Sequence, residues 1–245
     1  MGSTEVFAGA FIAMLATSLG AALVLFIKKI DCHLYSFMLA FAAGIMFFSA
    51  WEMANESLLS TVPEIVGLGV AVGIAFIALL ERFIPHLHMI IRKKEITTSK
   101  KKATLLVGTI TLHNVPEGLA IASAFAASGP LGWLVAGAIA LQDIPEGFMI
   151  SAPLSCYGMK SSRAVEMGVF SGLAEFAAAV IGFFFLSTFA FLIPFGLSFS
   201  AGAMLYLVFV ELMPDAMGNK NERNAIASFI AGAGIAFGLA TLLGF

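Results

Sequence analysis

Charge is scarce in this 245-residue chain. Asp, Glu, Lys and Arg make up 11% of it, against 60% hydrophobic residues and a mean hydropathy of +0.99. That deficit excludes an ordinary soluble domain, whose surface needs far more polar cover. Cysteine is limited to Cys32 and Cys156, both near helix ends on the side that the basic residues mark as cytoplasmic, which argues against a disulfide framework. Ten-residue stretches of alternating polarity are missing, which argues against a membrane β-barrel. No basic-aromatic patch points to nucleic acid, and a net charge of −2 says little about partners. The metalloprotease pattern H-E-x-x-H is absent as well.

What is present is a series of long apolar runs. Eight come near the ~20 residues needed to cross ~30 Å of hydrocarbon: Val6 to Ile27, Leu34 to Leu59, Pro63 to Ile84, Ala103 to Ser128, Leu131 to Ala152, Ala164 to Leu186, Pro194 to Met217 and Ala225 to Leu243. The expectation is therefore a single transmembrane domain, an all-α integral membrane protein of eight helices. The first run lacks a basic leader and is followed by Lys28 and Lys29, so it reads as a retained helix and not as a cleaved signal.

All 13 Lys and Arg fall in four connections, around Lys28, from Arg82 to Lys102, around Lys160 and around Lys220. With alternating helices these lie on one side. The positive-inside rule makes that side cytoplasmic and puts both termini outside, in a cell membrane that reads as a bacterial inner membrane. The longest connection, 86–102, carries His86, His88 and a Lys cluster suited to anionic lipid. It divides the helices three before and five after.

The first three helices resemble the last three. VFAG (6–9) matches VFSG (169–172), AAGIM (42–46) matches SAGAM (200–204) and GVAVG (69–73) matches GIAFG (234–238). Five helices separate the partners, so each pair crosses in opposite senses, as in the inverted repeats of transporters. The arrangement is 3+2+3. Its GxxxG pairs mark close helix packing and permit a homodimer.

Between the repeats lies a hairpin, 103–152, with HNVPEG at 113–118 and QDIPEG at 142–147. Each motif begins ~15 Å into its span, at the midplane. His113 and Asn114 stand four and three residues before Glu117, and Gln142 and Asp143 stand likewise before Glu146, so each glutamate shares a helix face with two further donors. Pro116 and Pro145 free the carbonyls of Leu112 and Leu141 and are expected to open the helix locally. Gly118 and Gly147 admit a neighbouring backbone.

Glu52, Glu117, Asp143, Glu146, Glu175 and Glu211 all lie within the spans. Three on the hairpin alone cost about 8 to 10 kcal/mol to bury on insertion scales. No Lys or Arg is within reach to offset this, which leaves bound cations or protons. The mixed N and O donors suit a divalent ion.

At these two motifs the chain resembles the ZIP family of divalent metal transporters, and the resemblance extends to AAGIM, to GLAE at 172–175 and to SAGAMLYLVFVELMPDA at 200–216. Gln142 and Asp143 stand where His and Glu are commoner, which is similar to the GufA-like bacterial branch. The resemblance implies two metal sites. One uses His113, Glu117, Gln142, Glu146 and Met46; the other uses Asn114, Glu117, Asp143, Glu146 and Glu175. Glu211 lines the pathway. It also implies import to the cytoplasm, movement of the first, fourth, fifth and sixth helices against the rest, and no enzymatic activity or resident cofactor.

Lack of a thiolate argues against Cu(I), and the His argues against a pure Mg²⁺ or Ca²⁺ cage, leaving Zn²⁺, Cd²⁺, Fe²⁺ and Mn²⁺. Two rival readings are a channel or proton-coupled carrier of another cation and, from another class, an intramembrane metallohydrolase. Protons compete with metal for every ligand. Uptake into proteoliposomes should therefore fall as the outer buffer is acidified, and a rise would mean that protons drive the cycle.

Overall fold

The computed structural model describes residues 2–27, 32–83, 99–156, 159–218 and 222–244. His86, His88, Lys28, Lys29 and Lys220 lie outside the described residues, so the expectations placed on them are not addressed. The described residues form eight long helices and no strand: α1 Gly2–Ala22, extended by a 3-10 turn Leu23–Leu25, α2 Cys32–Ser60, α3 Pro63–Phe83, α4 Ser99–Ala127, α5 Gly129–Cys156, α6 Ser161–Thr188, α7 beginning at Ile193, and α8 Glu222–Leu243. Helix α7 runs as Ile193–Tyr206, a π-helical stretch Leu207–Leu212 and a last turn Met213–Met217.

Seven of these are long and apolar enough to cross a membrane. The remaining one, α4, has 29 residues, ~44 Å of helix at 1.5 Å per residue, and it packs inside the others. Each helix follows its apolar run to within a few residues, because in hydrocarbon a backbone must satisfy its own hydrogen bonds. The outward surface is apolar, with Phe26, Leu59, Phe191 and Leu242 among the most exposed side chains. It suits lipid, not water.

The helices pack as two groups of four. Helices α1, α4, α5 and α6 contact one another; in the other group α8 packs on α2, α2 on α7 and α7 on α3, and the groups meet where α2 packs on α5 and α4 on α7. Glycine sets the closest approaches. A Cβ added at Gly147 would run into the Thr17 carbonyl and stand 2.8 Å from the Ala21 nitrogen; one at Gly118 would run into the Glu175 carbonyl and stand 2.9 Å from the Ala179 nitrogen. The sequence expectation that these two glycines admit a backbone holds.

These contacts define the internal repeat. Gly118 against Glu175 and Ala179 has its mate in Gly147 against Thr17 and Ala21. Gly44 against Phe229, and Gly232 against Phe41, have theirs in Gly202 against Val70, and Gly73 against Phe199. Residues 17, 21, 41 and 44 thus pair with 175, 179, 199 and 202, 158 apart. Residues 70 and 73 pair with 229 and 232, 159 apart.

The AAGIM and SAGAM match keeps its expected register. The other two matches do not: Gly73 pairs with Gly232, whereas Gly234 and Gly238 have nothing within 4 Å of where a Cβ would lie, and α1 pairs with α6 at 158, not 163. Ala- and Gly-rich helices match one another at many offsets, and only the carbonyl that each glycine meets selects one.

Both hairpin helices stay helical through Pro116 and Pro145. The expected local opening is not a break; each proline simply lacks the amide its turn would use.

Replacing Gly147 with Val should lower the thermal midpoint of the purified protein by the equivalent of ~1–3 kcal/mol or more, the cost of overpacking. Ala at the open Gly234 should be neutral or stabilise by ~0.5–1 kcal/mol. Melting curves in one detergent compare the two directly.

Candidate metal centre

The i, i+3, i+4 spacing turns His113, Asn114 and Glu117 toward one side of α4 and Gln142, Asp143 and Glu146 toward one side of α5. The two sides face each other. Glu117, Asp143 and Glu146 each present a carboxylate oxygen such that all three lie within 4.8 Å of one another. Glu117, Asp143 and Gln142 are fully buried, and Asn114 nearly so.

Few hydrogen bonds satisfy this cluster. Gln142 Nε2 donates to Glu117 Oε1 at 2.6 Å, and Ser171 Oγ on α6 donates to Asn114 Oδ1 at 3.0 Å. Glu117 Oε2, Gln142 Oε1, both Asp143 oxygens and both Glu175 oxygens are buried without a hydrogen-bond partner. Glu175, fully buried on α6, lies within Coulombic reach of Glu117, Asp143 and Glu146. Among the described residues no Lys or Arg pairs with any of these acids. Orphaned buried oxygens are costly. An array of them converging from three helices is what a hard or borderline cation would fill.

His113 and Glu211 form a separate contact. His113 Nε2 stands 2.8 Å from Glu211 Oε2, joining α4 to α7 across the two helix groups. Met46 is fully buried on α2, within the apolar core. The hairpin motifs and Glu175 thus come together, Glu211 attaches through His113, and Met46 sits in the neighbouring helix group.

Two participants escape sequence reasoning. Ser171, which orients Asn114, lies one turn before Glu175 and could have been found from that spacing. Thr17 on α1 neighbours both Asp143 and Glu175, with its hydroxyl donating to the Ala13 carbonyl at 3.1 Å. Nothing in its local sequence marks it. It is the mate of Glu175 in the repeat.

Similarity to known proteins is decisive here. The model of the ZIP Zinc transporter family matches residues 90–244. The chain belongs to the ZIP family. It is 37% identical to the zinc transporter GufA of Myxococcus xanthus over 73% of this chain and 71% of that one. Against the zinc transporter ZupT of Chlorobium chlorochromatii identity is 35% over 92% of both. The zinc transporter ZIPB of Bordetella bronchiseptica is 34% identical over 94% of this chain and 78% of that protein. ZIP membership makes this multi-pass membrane protein a transporter and not an enzyme, and the resemblance read from HNVPEG and QDIPEG stands, with GufA among its relatives.

If the converging acids repel one another when no ion is present, removing one should stabilise the metal-free protein. Asp143→Asn should raise the melting temperature without metal, yet show no further rise with zinc, where the wild type should show one. That rise corresponds to ~2.7 kcal/mol when zinc is at 100 times its dissociation constant. Thermal shifts with zinc and with a chelator read both signs.

Proposed function

We propose that the chain imports Zn²⁺, or a related divalent ion among Cd²⁺, Fe²⁺ and Mn²⁺, into the cytoplasm by alternating access around the α4–α5 hairpin. One observation carries the reading. Glu117, Asp143 and Glu146 converge to within 4.8 Å, the latter two on a helix long and apolar enough to cross a membrane and Glu117 on α4 packed against it, beside buried oxygens with no partner. Negative charge at that depth needs a compensating cation.

The ion is the substrate, and two adjoining sites hold it. His113, Glu117, Gln142 and Glu146, with Met46 as a softer donor, form one. Asn114, Glu117, Asp143, Glu146 and Glu175 form the other. Glu117 and Glu146 belong to both, so a carboxylate can bridge two ions or pass one along. Glu211, hydrogen-bonded to His113, lies on the route between site and solvent. Relatives bearing the name zinc transporter favour zinc as the cargo.

Division of the helices into α1, α4, α5, α6 and α2, α3, α7, α8 supports rigid-body movement of the first group against the second, carrying the site with it. Both termini then lie outside the cytoplasm and the membrane lipids surround a single transmembrane domain. A channel would need no such division.

Proteoliposomes loaded with a zinc indicator test this. Wild type should show saturable uptake that cadmium competes for, and Glu146→Ala should abolish it. Unsaturable flux, or flux intact in the variant, would refute the site.

A further inference from the structure

One membrane acid has no part in the site described. Glu52 lies on α2, half-buried, with Glu56 one turn on within Coulombic reach. The repeat gives it a counterpart. From residue 44 to its mate 202 the offset is 158, and from residue 70 to its mate 229 it is 159, so one residue is inserted in the second repeat between these points. Helix phase places it in the π-helical stretch Leu207–Leu212: Met53 and Ser57 are buried as Leu212 and Ala216 are, already 159 apart, and a π-bulge is a one-residue insertion in an α-helix. Met46 therefore pairs with Met204, and beyond the insertion Glu52 pairs with Glu211. The flanking residues agree: Trp51-Glu52-Met53 stands against Val210-Glu211-Leu212.

Glu211 has a visible task. It receives His113 at 2.8 Å and so ties the group α1, α4, α5, α6 to the group α2, α3, α7, α8. The mate of His113, 29 residues on, is Gln142, as Gly147 is the mate of Gly118. In this structure Gln142 donates instead to Glu117. An inverted repeat has two equivalent ways to dock its halves, related by exchanging the repeats. Exchange turns the His113–Glu211 contact into a Gln142–Glu52 contact, and a Gln amide can donate to a carboxylate as well as an imidazole can.

We infer that Glu52 is a second latch: in the opposite-facing conformation its carboxylate accepts from Gln142, as Glu211 accepts from His113 in the conformation seen here. The two carboxylates lie on opposite sides of the hairpin, because α2 and α7 run in opposite senses. Each stands where a divalent cation enters or leaves the site, and each closes one face while the other opens. The departure of Gln142 from imidazole makes the two latches chemically unequal. This rests on the alternating-access reading above.

Paired cysteines test it. In a Cys32→Ser, Cys156→Ser background, one variant carries His113→Cys with Glu211→Cys and another Gln142→Cys with Glu52→Cys, each treated in native membranes with a short bifunctional thiol reagent. Both pairs should cross-link. Cross-linking of the first pair alone would overturn the inference while leaving the transport reading intact. A second readout uses a single variant: Glu52→Leu, which has no acceptor, should lower zinc uptake roughly tenfold or more, the size of one lost hydrogen bond to a charged group, with an unchanged elution profile. Wild-type uptake in Glu52→Leu would also overturn it. Absence of uptake in the unmodified protein would instead refute the transporter reading itself.

Discussion

Three carboxylates whose oxygens approach within 4.8 Å, with no opposing Lys or Arg among the described residues, set the terms for the rest of the molecule. Two ionised groups at that distance repel by on the order of 3 kcal/mol at an effective dielectric near 20. A soluble protein would turn them outward to water. Here lipid lies outside, so they must face inward, and the packing has to hold them there. Glycine supplies the means: Gly118 and Gly147 let α6 and α1 press backbone to backbone on the hairpin, each contact directly behind a motif glutamate. Stability is thus concentrated next to the groups that oppose it. That is the arrangement expected where function requires strain.

The repeat explains why the centre is nearly symmetric and where it is not. Asn114 and Asp143 are mates, as are Glu117 and Glu146, so the shared donors come in pairs from two antiparallel helices. Thr17 and Glu175 break the symmetry by placing a neutral hydroxyl and a carboxylate at equivalent positions. His113 and Gln142 break it again. The two halves of the centre therefore present different donors to an ion held between them. The π-helical stretch in α7 keeps Glu211 in step with Glu52 despite an inserted residue, a geometric use of the bulge well suited to a functional segment.

Legibility differed by kind of feature. The hairpin donors were readable because His113, Asn114 and Glu117, and their counterparts on α5, lie within one helical turn, and helix geometry fixes who faces whom. Glu175 was readable as a depth, since it lies mid-span. Ser171 was within reach of the same reasoning, one turn before Glu175, but Thr17 was not: it reaches the centre across a helix interface, and interfaces depend on which carbonyl each glycine meets. The offset of α1 to α6 and of α3 to α8 failed for the same reason. Small residues recur every few positions in these helices, so one short match says little about register.

Composition and motif spacing determined that the chain lives in a membrane as a helical bundle and that a central hairpin carries paired donors; both follow from the length of hydrocarbon to be crossed and from the 3.6-residue turn, while the residues of the two motifs carried the resemblance to the ZIP family. Tertiary structure alone decided the register of the repeat, the pairing of Thr17 with Glu175, and the meeting of His113 with Glu211. Those depend on contacts between segments far apart in the chain, where the close fit of backbone against glycine, invisible to local periodicity, selects one arrangement among many that the apolar pattern would allow.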